Sequence, residues 1–229
     1  MVIKLIKHVD IAALTETKRK GNGIEEEKNY IQIYSGASKD QRGRRGVSVL
    51  IKKKYKKCVK EWQYIDERLV QVRMRLNGND VNIVGVYAPN DDADEKQKED
   101  FYNKLRFITD NISSRKEIVI IGDLNARTGS KRNDAAVGPH GELVATDNGC
   151  RLIDYCEQYG LRITNGFFQH RNVHRYTWTQ TTRQLASIID YVIIKQHIHF
   201  KPQVVRVYRL AECGSEHFLV IAKLYLVKI

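Results

Sequence analysis

Ile118-Val119-Ile120-Ile121-Gly122-Asp123-Leu124-Asn125 runs from four branched apolar residues straight into an acid and an amide. An apolar run of this kind reads as a strand covered on both faces. Gly122 lets the backbone turn sharply, and Asp123 and Asn125 sit two residues apart. If the extended conformation persists, that spacing points both side chains to the same side. A carboxylate and an amide at the mouth of a buried strand can hold a metal-bound water and a phosphate oxygen together. The plainer reading is a strand ending in an ordinary Asp/Asn turn, and the segment taken alone favours it.

The same arrangement recurs along the chain. His8–Glu16 is a short apolar run that ends in a carboxylate, and Val81–Pro89 delivers Tyr87 just before a proline stop. Ile188–Ile194 carries one acid, Asp190, inside an otherwise apolar strand, and Ser215-Glu216-His217 opens the run Phe-Leu-Val-Ile-Ala. A buried carboxylate is costly unless it is paired or metal-bound, so several of them at strand ends suggest a hydrolytic site.

Thr15-Glu16-Thr17, Val86-Tyr87-Ala88-Pro89, Gly122-Asp123-Leu124-Asn125, Ile189-Asp190-Tyr191 and Ser215-Glu216-His217 stand in this order along the chain. In that order they resemble the endonuclease/exonuclease/phosphatase superfamily. The closer likeness is to the endonuclease domains of LINE-type (non-LTR) retrotransposons and to craniofacial development protein 2-like proteins. Ser35-Gly36, Phe101-Tyr102, Asp147-Asn148-Gly149, His170 through Trp178 and Cys213 through Lys223 are similar to that subgroup too. The resemblance covers nearly the whole chain. It implies an α/β (α+β) fold of two packed, mainly antiparallel β-sheets flanked by helices, a four-layer α/β/β/α sandwich, built as one domain over residues 1–229.

Two departures from the family pattern bear on activity more than on fold. Members begin with a strand carrying Trp-Asn-Val or a similar segment, and here Met1 precedes Glu16 by fifteen residues with no such Asn. The expectation is a domain that lacks the first strand. The second departure is Glu216, where the family has Asp. Glu keeps the charge, and the extra methylene moves the carboxylate by about one carbon–carbon bond, a shift on the scale of the roughly 0.5 Å tolerance of a well-formed metal site.

Composition agrees with an intracellular globular domain, and the nucleus is one compartment that suits a DNA substrate. With 42% hydrophobic residues in 229 the chain can form a substantial core. No apolar run approaches the roughly 20 residues of a membrane span, and Lys4 and Lys7 interrupt any signal-peptide pattern. Cys58, Cys150, Cys156 and Cys213 form no Cys-x-x-Cys pair and read as reduced, partly buried thiols. The 39 Lys and Arg against 27 Asp and Glu give a net charge of +12, with a pI of about 9.5. Such an excess is the electrostatic footprint of nucleic-acid binding. It concentrates in Gln41–Arg45 and in Lys52–Lys60. Lys52–Lys57, read alone as an exposed edge strand or loop, is better explained as a solvated face.

Asp91 and Asp92 are candidate caps for a helix over residues 93–111, with Phe101, Leu105, Ile108 and Ile112 as its apolar stripe. A second helix is predicted from Cys150 to Tyr159, stopped by Gly160. Further strands are predicted at Tyr30–Tyr34, Gly46–Ile51, Leu69–Leu76, Leu161–Asn165, Tyr176–Thr179 and Val204–Tyr208. His170 and His174 lie four apart, but residue 171 is Arg rather than Glu, so the zinc-protease pattern fails. Both read as loop histidines bonded to backbone. Trp178 reads as core or rim packing, with a stacking platform for a base or sugar as the second possibility.

The resemblance implies metal-dependent hydrolysis of a phosphodiester. Glu16 would bind Mg²⁺ (or Mn²⁺), with Glu216 as an auxiliary ligand. Asp123 would orient or deprotonate the attacking water. Asn125 and Tyr87 would bond non-bridging oxygens, and His217 would do likewise or relay a proton, its tautomer fixed by Asp190. The expected partner is DNA, with no membrane; oligomeric state stays open. Two other readings remain: a catalytically inactive DNA- or protein-binding relative, and a phosphomonoesterase acting on small phosphorylated substrates.

Overall fold

The computed structural model describes residues 6–38, 40, 43, 45–196, 200–209 and 215–226. These fall into two compact units, one of His8–Pro89 with Asp94–Asp123, the other of Met1–Lys7, Asn90–Ala93 and Leu124–Ile229. Among the described residues the chain is α+β, with several mainly antiparallel sheets and few helices.

In the first unit, β1 (Ile11–Leu14), β2 (Asn22–Glu26), β3 (Tyr30–Ser35) and β4 (Val47–Lys52) form an antiparallel sheet in the order β1-β4-β3-β2. β5 (Val59–Asp66), β6 (Leu69–Leu76) and β7 (Asn79–Tyr87) make an antiparallel meander. The chain then passes through α1 (Glu95–Asp110) to β8 (Glu117–Asp123), which runs parallel to β7. The two sheets pack face to face over Ile31, Ile33, Val47, Val49, Val70, Val72, Val81 and Ile83, each 3% exposed or less. Strand β7 is buried from Val81 to Tyr87, so apart from Asn82 it reads as an apolar run rather than an alternating one.

The cap of α1 differs from expectation. Asp94 is the N-cap and accepts the Gln97 N–H at 2.8 Å. Asp91 instead accepts the Asn148 N–H at 2.9 Å within the second unit. Phe101, Leu105 and Ile108 form the buried stripe as predicted, while Ile112 lies beyond the helix end.

The lysine run also departs from an edge strand or loop: Lys53–Cys58 is a 3-10 helix. Lys52 and Lys54 pair with Asp10, and Lys53 and Lys56 with Glu26. These pairs add little stability each, and the two carboxylates offset part of the local positive charge. Of the other basic group, Arg45 pairs with Glu67 at 2.7 Å, and Gln41, Arg42 and Arg44 lie outside the described residues.

In the second unit, α2 (Asp147–Gln158) starts three residues before the predicted Cys150, because Thr146 caps it through the Gly149 N–H. Leu152, Ile153 and Cys156 face inward and Gly160, at φ +60°, follows the end. Then come β9 (Leu161–Ile163), β10 (Trp178–Gln180), β11 (Leu185–Ser187), β12 (Asp190–Lys195), β13 (Phe200–Tyr208) and β14 (Leu219–Leu226). β10 pairs with β11, β12 with β9, and β13 with β14, all antiparallel. β13 begins four residues before the predicted Val204, and its register shifts between Pro202 and Val204, where proline has no N–H to give.

Cys58 is half-buried, Cys150 exposed and Cys156 buried, none of them in a disulfide; Cys213 lies outside the described residues. No helix among the described residues is long and apolar enough to cross a membrane.

Candidate active site

Glu16, Tyr87 and Asp123 belong to the first unit, and its strands bring them together. The parallel register pairs Tyr87 with Asp123, so both side chains leave the sheet on one face. Gly122 precedes Asp123 at φ +141°, and the Ala88 N–H donates to the Asp123 carbonyl at 2.8 Å. Glu16 sits two residues past β1 at φ +52°, with Lys18 at φ +54°. Left-handed non-glycine residues this close together cost about 1 kcal/mol or more each and gather at functional sites. The Tyr87 hydroxyl donates to Glu16 Oε1 at 3.1 Å. Burial pushes the Tyr87 pKa up to about 12, aided by the charges of Glu16 and Asp123. The tyrosine is thereby kept a neutral donor, and Asp123 itself is 1% exposed.

That shift has a measurable consequence. The unfolded tyrosine ionises near its ordinary value of 10, whereas the folded one holds its proton to about 12. Between those values the unfolded chain binds fewer protons, so stability falls as pH rises. The melting-temperature advantage of the wild type over Tyr87→Phe is expected to narrow across that window. A constant difference would remove the raised pKa.

Asn125, Asp190, His217, Glu216 and Trp178 belong to the second unit. Asn125 does not continue the strand: β8 ends at Asp123 and Asn125 is left-handed at φ +45°, a conformation asparagine tolerates. The two side chains therefore do not share a face through an extended backbone. The buried Asn148 side chain holds this turn, its Nδ2 donating to the Asn125 carbonyl at 3.0 Å. Asp190 is the first residue of β12 rather than an interior one. Its N–H and that of Ile189 both donate to Thr177 Oγ1, at 3.1 and 3.0 Å. The carboxylate receives His217 Nδ1 at 3.0 and 3.2 Å, which sets Nδ1 as the protonated nitrogen of the pair. Trp178, partly buried in β10, bridges to His217 through the backbone. The Thr179 N–H donates to the Glu216 carbonyl at 3.0 Å, and the Glu216 residue is exposed. His170 and His174 bond the carbonyls of Val205 and Val207, at 2.7 and 3.2 Å, as expected, though His174 ends the short 3-10 helix Asn172–His174 rather than lying in a loop.

A clasp that sequence reading missed ties this group together. Glu142, buried in a long loop, takes Arg127 Nε and Nη2 at 2.9 and 2.7 Å on one oxygen. Its other oxygen accepts the Ile188 N–H at 2.7 Å. The carboxylate thus grips the chain two residues after Asn125 and two before Asp190. Tyr191 adds to the hold, donating towards the carbonyls of Ala126 and Ile188. An isolated acid in a glycine-rich loop gave no signal of this. Arg127→Ala strands the Glu142 charge and is expected to lower stability by about 2–4 kcal/mol, read as a fall in denaturation midpoint. A loss within about 0.5 kcal/mol, usual for surface changes, would show that the clasp holds nothing.

The chain matches the model of the Endonuclease/Exonuclease/phosphatase family over residues 1–217. It belongs to that family. It is 30% identical over 216 residues to craniofacial development protein 2 of Bos taurus, a match covering 94% of this chain and 36% of that protein. The chain thus spans little more than a third of the length of the curated relatives it matches. A structure of the 3′ phosphatase NExo from Neisseria bound to a product DNA hairpin superposes with a TM-score of 0.65 at 18% identity, covering 96% of this chain and 92% of that one. The endonuclease domain of TRAS1, a telomere-specific non-LTR retrotransposon, gives 0.62 at 19%, covering 99% and 91%. At these identities the structural likeness establishes the fold, which agrees with the α+β class read from the sequence.

Proposed function

We propose that this domain is a Mg²⁺- or Mn²⁺-dependent phosphodiester hydrolase that acts on DNA, related by descent to retrotransposon-type endonucleases. The observation that carries the reading is the cluster of Tyr87 with Glu16 and Asp123. A tyrosine hydroxyl held neutral by burial and by two nearby carboxylates is a fixed donor for a developing negative charge.

The residues fit a hard divalent cation. Glu16 and Asp123 offer oxygen donors, and Glu16 Oε1 is anchored by Tyr87 while Oε2 has no partner among the described residues. Two carboxylates acting on one hydroxyl are also better tolerated with a cation present. Glu16 would hold the ion. When bound, it supplies charge neutralisation at the phosphate.

This chain's own residues do the rest. Asp123 orients the attacking water and accepts its proton. Tyr87 donates to a non-bridging oxygen as charge builds, the role that the family resemblance also gives the Asn125 amide. Asp190 holds Nδ1 of His217, and Nε2 is the nitrogen that gives or takes a proton. Trp178 offers a ring to a base or sugar.

A DNA substrate is supported by the +12 net charge and by the Neisseria relative that was captured with a DNA hairpin. The test is nicking of supercoiled plasmid with Mg²⁺, with EDTA and Asp123→Ala as controls. Nicking lost in both controls is the expected result. A folded protein that shifts DNA without nicking it would instead indicate a binding module, and cleavage confined to phosphomonoesters would indicate a phosphatase.

A further inference from the structure

Arg68 stands immediately before β6, and no motif singles it out. Its guanidinium lies over the Tyr87 ring at 5.2 Å and Nη1 donates to the Tyr87 carbonyl at 3.0 Å. Its own carbonyl accepts the Tyr87 N–H at 2.9 Å. Burial, with the charge of Arg45, pulls the guanidinium below its ordinary pKa. Arg68 is only partly exposed, where a charge is better held with a carboxylate partner, yet the two acids whose charges reach it are engaged elsewhere. Asp66 takes the Arg68 N–H and Lys104 Nζ, at 2.8 and 2.7 Å. Glu67 is held by Arg45 at 2.7 Å. Among the described residues, Nε and Nη2 of Arg68 have no partner.

We propose that Arg68 is the anion-binding residue of a phosphate subsite beside Glu16 and Tyr87, its Nε and Nη2 edge taking oxygens of the substrate phosphate ester. The assignment rests on the phosphodiesterase reading for its substrate class. A guanidinium edge matches two phosphate oxygens with parallel N–H···O bonds, which an ammonium cannot do. Stacking on Tyr87 and the Nη1 bond fix the plane of that edge in advance. Tyr87 and Arg68 would then address the same phosphate with one neutral and one charged donor.

The experiment is calorimetric titration of inorganic phosphate into the full chain with Mg²⁺ present, alongside nicking kinetics, for the wild type, R68A and R68K. R68A is expected to weaken phosphate binding by about 10- to 100-fold and to raise KM for DNA. R68K should be intermediate, and added guanidinium ion at a non-denaturing concentration should partly restore R68A. If R68A does not fold, Arg68→Gln, which keeps a donor for the Tyr87 carbonyl without the charge, takes its place. Unchanged phosphate affinity with only a lowered melting temperature would overturn the subsite and leave Arg68 a structural residue, as would a wild type that binds no phosphate. A wild type that binds phosphate through Arg68 but never cleaves DNA would sink the nuclease reading and leave the subsite standing. A wild type that nicks DNA with R68A indifferent to phosphate would sink the subsite alone.

Discussion

Replacing Asp123 by Asn is expected to slow plasmid nicking by about 100- to 10,000-fold, the range for loss of a positioned general base. The folded state should remain as stable as the wild type, or become more so. The two expectations come from the same observation. Asp123 is 1% exposed, and a carboxylate buried to that extent carries a desolvation cost that the isosteric amide avoids. Its charge also helps raise the Tyr87 pKa, so the variant should lower that pKa. Single-turnover rates and a melting curve on one preparation decide the matter. A variant that is slow because it is unfolded shows in the melt; a variant that is stable and nicks at the wild-type rate removes Asp123 from the chemistry. Asp123→Ala is the less informative change, because it opens a cavity in addition to removing the base.

Much of this arrangement could be read from the sequence, for a physical reason. β7 and β8 are covered on both faces, so their apolar runs are long and the polar residue that ends each one stands out. The same holds for β12 and Asp190. Where burial is one-sided or the strand is polar, the signal fades. β2, Asn-Gly-Ile-Glu-Glu, is largely exposed and was not foreseen, nor was β5, whose Glu61 and Gln63 face solvent. Backbone sign was equally hidden: nothing in the letters Asp-Leu-Asn says that Asn125 turns left-handed once Asn148 takes its carbonyl. Arg68 and Glu142 illustrate the deeper limit. Each gains its role from partners 15 or more positions away, Tyr87 for one and Arg127 and Ile188 for the other. A lone Arg or Glu in a chain this rich in charge looks like surface until the fold removes its water.

The second large effect is structural. Gly122→Ala is expected to cost about 3 kcal/mol or more, lowering the melting temperature by roughly 6–12 °C for a chain of this size. Two penalties combine. At φ +141° any L side chain is strained, by about 1–3 kcal/mol. A Cβ built there would also lie 2.0 Å from the Val86 carbonyl oxygen, a backbone atom in the neighbouring strand that cannot swing aside. Gly85→Ala is the matched control. Its Cβ would meet Val49 Cγ2 at 2.8 Å and Val70 Cγ1 at 3.2 Å, side-chain atoms in the packed interior that can shift, so the cost should stay near the 1–3 kcal/mol of ordinary overpacking. The functional consequence separates the two further. Val86 and Gly122 are register partners one step before Tyr87 and Asp123, so forcing them apart displaces the phenol from the carboxylate. Gly122→Ala should therefore lose nicking even at temperatures where it remains folded, while Gly85→Ala keeps it. Equal losses of activity at equal folded fraction would mean that the alignment of Tyr87 with Asp123 does not matter to the reaction.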